Sequence, residues 1–153
     1  MHFVAKFAAV AAAVSSLAVF PQPVLAGTTD DAAHLRRLDI MLMVSSLRCR
    51  FGADNFQADY ARFSTNHNPV MQDAFKTLNA DYTARMGPQR AKKALDTVSV
   101  SMANQYGVGH PWLGCGELKS MTKELAATKD RAHLVRVAHE VLADRPTQVA
   151  VRR

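Results

Sequence analysis

The sequence predicts an all-α fold, a compact bundle of five or six helices with one disulfide, on three observations. Apolar residues recur three and four apart through most of the chain after residue 26. Strict alternation over strand-length windows is nearly absent, which leaves no pattern for a half-buried sheet. The chain has two cysteines, Cys49 and Cys115, a number that permits a single internal bridge.

A first helix is expected to open near Asp30 and Asp31, whose carboxylates suit the free N–H groups and positive end of a helix start, and to run to about Phe51 before Gly52. Leu35, Leu38, Leu42 and Cys49 form its stripe. Met41, Val44 and Leu47 widen that stripe, so the helix reads as central and largely buried. A second, shorter helix follows Asp54, with Phe56, Tyr60 and Phe63 on one face. The run Ser64-Thr65-Asn66-His67-Asn68-Pro69 is rich in cap and turn formers and predicts a break, with a third helix from about Pro69 carrying Met71, Phe75, Leu78 and Tyr82.

Gly87-Pro88 reads as a stop and restart. The helix that follows carries Ala91, Leu95, Val98, Met102 and Tyr106 and ends at Gly107. The segment from Gly107 to Gly116 holds four of the seven glycines, the only tryptophan and the second cysteine, which predicts a shaped loop. A helix with Leu118, Met121 and Leu125 comes next, then a break near Thr128-Lys129-Asp130. The last helix carries Leu134, Ala138, Val141 and Leu142, and beyond Arg145-Pro146 the tail, residues 146–153, has no periodicity.

Residues 1–26 follow the layout of a secretory signal: Lys6 in a short polar start, an apolar run from Phe7 to Phe20, and Val24-Leu25-Ala26 before an expected cleavage between Ala26 and Gly27. The apolar run is about 14 residues, short of the roughly 20 needed to span a bilayer. Export to the periplasm or the medium is therefore expected, with no transmembrane span after cleavage and a helical domain over residues 27–145. An exported pair of cysteines favours a disulfide, with two free thiols or an intermolecular bond as alternatives.

Without its first 26 residues the chain retains 18 Lys plus Arg against 13 Asp plus Glu, a net charge of about +5. The positive charge is dispersed, with small concentrations at Arg90, Lys92 and Lys93 and at Arg152-Arg153. That distribution suits a solvated surface, or an anionic envelope surface, better than a specific reader of nucleic acid.

Candidate chemistry is sparse. His110, Trp112 and Cys115 share the glycine-rich loop, where a histidine near a thiolate could make a nucleophile, but a disulfide would remove that chemistry. Arg48 and Arg50 flank Cys49, and Asp54 and Asn55 lie close by, a polar corner that could hold an anion or a partner's carboxylate. His34, His67, His133 and His139 match no metal-ligand spacing; His133 and His139, six apart on one helix, point about 240° from each other. No nucleophile elbow, phosphate loop or dinucleotide-binding turn occurs, so neither a metal nor a cofactor is expected.

The segments LDIMLMVSSLRCR (38–50), ADNFQADYARF (53–63) and SMANQYGVGHPWLGC (101–115) resemble a family of small exported helical proteins from alphaproteobacteria. The resemblance implies export and a helical fold and carries no catalytic residue. Some members of that family bear an adenosylhomocysteine hydrolase label. The enzyme of that name is a much larger, NAD-dependent, two-domain protein, and this chain has no dinucleotide-binding half. The expected function is an exported, non-enzymatic module that contacts or assists another envelope component. The alternatives are a small enzyme with its site near Asp54, Asn55 and residues 107–116, and a binder of anionic envelope material.

Overall fold

The computed structural model describes residues 28–143, so the expected signal segment, its cleavage site and the C-terminal tail lie outside the described residues. The described chain is all-helical: α1 (Thr29–Arg48), α2 (Gln57–Met86), α3 (Pro88–Gly107), α4 (Cys115–Ala127) and α5 (Arg131–Leu142). No helix among these residues is long and apolar enough to cross a membrane.

α1 starts one residue after Thr28, whose hydroxyl accepts from the Asp31 N–H while the Asp31 carboxylate accepts from the Thr28 N–H. This reciprocal cap satisfies two of the donors that a helix start leaves unpaired. Leu35, Leu38, Met41 and Leu42 are fully buried, each contributing roughly 1.5–3 kcal/mol of apolar transfer. α1 packs against α2, α3 and α5 and touches α4, which makes it the central element. Leu47 lies outside the core at 49% exposure, and Ile40 takes a buried place that the stripe did not include. The helix stops at Arg48, short of the expected Phe51.

The expected break at Pro69 does not occur. α2 runs unbroken for 30 residues through that proline, so the predicted second and third helices are one and the described residues form five helices. The run read as turn formers finds its partners in another helix. Asn66 Nδ2 donates to the Ala126 carbonyl and His67 Nε2 to the Leu125 carbonyl, both at 2.8 Å. These carbonyls belong to the last turn of α4, where no intrahelical donor remains. Phe63 and His67 are buried, and their packing with two capping bonds offsets the proline's missing N–H.

Pro69→Ala should therefore raise the unfolding free energy, by up to about 3 kcal/mol in chemical denaturation. A loss instead would mean that the proline's fixed backbone angle sets the α2–α4 fit.

Gly87 separates α2 from α3 with φ at 81°, in the region that favours glycine, and Pro88 occupies the first position of α3 as the sequence predicts. The Cys49–Cys115 disulfide is present, joining the C-terminal cap of α1 to the first residue of α4 across a Cα–Cα distance of 5.8 Å. α5, capped by the Asp130 side chain, docks on α1 and brings the C-terminal end of the described chain to its start.

Candidate functional site

The residues singled out in the sequence gather around the disulfide, and most are engaged in holding the chain. His110 Nε2 donates to the Val141 carbonyl at 3.0 Å, while its Nδ1 accepts from the N–H groups of Trp112 and Leu113 at 3.4 and 3.2 Å. Tyr106 stacks on its ring and Trp112 meets it edge-on. Burial holds the His110 pKa below its ordinary value, against the opposing pull of the Val141 carbonyl and Glu117. A neutral ring with one donor and one acceptor nitrogen suits these three bonds.

The other members of the corner are similarly occupied. The Arg48 guanidinium lies against the backbone of Gly109, where φ is 120° and an added Cβ would stand 3.0 Å from Arg48 Cζ. Arg50 donates to the Leu47 carbonyl and covers the ring of Phe51, itself 79% exposed. Asn55 donates to the Arg50 carbonyl and accepts from the Gln57 N–H at the start of α2. The Asp54 carboxylate approaches Gly116 in the first turn of α4, a place where a helix end favours negative charge. Cys115 is in the disulfide, so it supplies no thiolate.

A different site opens between α1 and α2. Ser64, Asn68, Gln72 and Lys76 recur every four residues along α2 and line one side of a groove of about 380 Å³. Arg36 and Asp39 of α1 line the other side, and Met71 and Phe75 supply apolar surface, Phe75 at 44% exposure. The polar ladder exists only because α2 is continuous: a break at Pro69 would place Ser64 and Asn68 on a turn, away from Gln72 and Lys76.

Asp39 is the chemically unusual group in this groove. Tyr60 donates to its Oδ1 at 3.1 Å, and Arg36 Nη1 lies 3.5 Å from its Oδ2. Arg36 also reaches the Ser99 hydroxyl on α3, and a Ser64 hydrogen bond falls on Tyr60. Burial pushes the Asp39 pKa up, although the Tyr60 hydrogen bond and Arg36 oppose it. Burial and the adjoining carboxylate push Tyr60 well above its ordinary value. A partly buried carboxylate fed by a tyrosine and an arginine, at the edge of a groove, is the kind of group that clusters at binding sites.

A second cluster lies where α1 meets α5. His34 and His139 stack with ring centroids 3.8 Å apart, and Asp30 and Asp31 adjoin them. The hydrogen bond from His139, with those from Thr28, holds Asp31 below the usual carboxylate range despite the opposing effect of burial. His133 faces elsewhere, toward Glu124 and Arg136. The four-residue interval from Asp30 to His34 was readable in the sequence; the approach of His139 from 105 residues later was not.

No protein-family model, curated protein or solved structure matches the chain.

Proposed function

We propose that this chain is an exported, non-enzymatic helical module that contacts another component of the cell envelope through the α1–α2 groove. The observation that carries the reading is Asp39: a carboxylate kept partly buried beside a groove, where ionisation costs stability that a purely structural residue need not cost. Its raised pKa means that its stabilising contribution is complete below the ordinary carboxylate pKa and is lost as pH rises through the folded value. In its ionised form the group is thus retained against the stability of the fold, a trade common where a residue serves binding.

Export is supported by the signal-like first 26 residues and by a disulfide, a bond that persists in oxidising compartments. The non-enzymatic reading is supported by the engagement of His110, Asn55 and Cys115 in backbone and disulfide bonds. Binding of anionic envelope material has less support, because Arg62, Arg85, Arg131 and Arg136 each pair with a carboxylate on this surface. The groove suits a polar segment that presents both donors and acceptors to Asp39, Asn68 and Gln72 and lays an apolar edge on Phe75.

The test is capture from envelope extracts with a photo-cross-linking residue at Gln72, in the parent protein and in Asp39→Asn and Phe75→Ala. One partner should recur with the parent and be lost with both variants. Asp39→Asn keeps an oxygen for the Tyr60 hydroxyl and removes the buried charge, so its unfolding temperature should equal or exceed the parent's at neutral pH. Repeated recovery of no partner, or recovery unaffected by either change, overturns the reading.

A further inference from the structure

We propose that Asp30, His34 and His139 form a binding site for a divalent transition-metal cation of the zinc class. Each offers one ligand atom, and these atoms lie within 4.8 Å of one another. A tetrahedral ion with bonds of about 2.0–2.1 Å places its ligands roughly 3.3 Å apart. The separations here are somewhat longer and reach the two oxygens of one carboxylate: His34 Nδ1 lies 3.5 Å from Asp30 Oδ1, and His139 Nε2 lies 3.9 Å from Asp30 Oδ2. Ligation requires the two rings to unstack and turn so that both nitrogens face one point. That change is open to them because Asp30 and His34 share one face of α1 and the His139 side chain, on the docked α5, is 38% exposed.

Both ring nitrogens have oxygen partners that an ion would replace. His34 Nδ1 is 2.9 Å from the Asp30 carbonyl, and His139 Nε2 is 3.0 Å from Asp31 Oδ1. The two rings stack face to face, a contact that binding exchanges for two bonds to the ion. A cation taking the two ring nitrogens displaces the proton that each directs at its oxygen partner, and the neighbouring Asp31 carboxylate adds negative charge beside the site. Arg136 and Glu140, on the same helix as His139, pair with each other.

Two imidazoles with a carboxylate favour zinc, copper or nickel over calcium and magnesium, which prefer all-oxygen sites. Asp30 is 71% exposed, so the cation would keep an open side for water or for a ligand brought by another molecule. This site stands at the α1–α5 contact and is independent of the groove and its proposed partner.

The test is titration of the chelator-stripped exported protein with Co²⁺, followed by visible absorption and by Zn²⁺ competition. One equivalent should give intense ligand-field bands that Zn²⁺ abolishes, and Zn²⁺ should raise the unfolding temperature, because a ligand that binds only the folded state stabilises it. His34→Ala and His139→Ala should each weaken binding by about tenfold or more. His133→Ala, on the same helix as His139 and facing Glu124, should bind like the parent, and circular dichroism should show all three variants folded. Absence of the bands and of the Zn²⁺ shift in the parent, or unchanged binding in both ligand variants, overturns the proposal.

Discussion

Removal of the Cys49–Cys115 bond is expected to lower the unfolding free energy by about 4 kcal/mol. The bond joins residues 66 apart in sequence, and opening a loop of that length returns this much conformational freedom to the unfolded chain. For a domain of this size the loss corresponds to a fall of about 10–20 °C in unfolding temperature. Two versions of the experiment separate its causes. Reduction leaves both sulfur atoms in place and reports the loss of the crosslink, whereas Cys49→Ala with Cys115→Ala also removes volume at Cys49, which is buried. The double variant should fall by about 1 kcal/mol more than the reduced parent. A change below about 1 kcal/mol in both would mean that the unfolded chain is compact enough to hold these ends together without the bond.

His110→Phe should cost about 3 kcal/mol, with a pH signature that packing alone cannot produce. Phenylalanine fills much of the ring's space, yet it leaves the Val141 carbonyl and the N–H groups of Trp112 and Leu113 without their present partner. The parent's His110 folds in the neutral form with a lowered pKa, so the unfolded chain takes up the proton first. Its contribution is complete above the ordinary imidazole pKa of about 6.5 and is lost as pH falls from there towards the folded value. The stability gap between parent and variant should therefore narrow between pH 7 and pH 5 in denaturant titrations. A gap independent of pH would show that the ring acts through shape alone.

Much of the fold was legible because each boundary had a local cause. Gly87-Pro88 and Thr128-Lys129-Asp130 end and restart helices as their residue types require, and Leu35, Leu38 and Leu42 face the core as their spacing predicts. Pro69 misled because local preference was outweighed by distant partners: the carbonyls of Leu125 and Ala126, some 60 residues on, give Asn66 and His67 a reason to remain helical. That misreading concealed the groove, since its four-residue ladder crosses the supposed break. The residues around the loop were visible for their composition, yet His110 and Trp112 are unusual for how they shape the backbone. The meeting of His34 with His139 depends on how α5 docks on α1, which no spacing within either helix encodes.

The disulfide closes α2 and α3 into a covalent ring, with α1 and the α4–α5 pair as arms. A single peptide-bond cut in the connections 50–56 or 108–114 opens that ring without separating its pieces. The nicked chain remains one molecule, and the α1–α5 contact can still hold its arms together. In a compartment that contains proteases, such a chain survives a first cleavage within the ring as a single covalent body, whereas a cut in an arm, such as at residues 128–130, severs that arm at once.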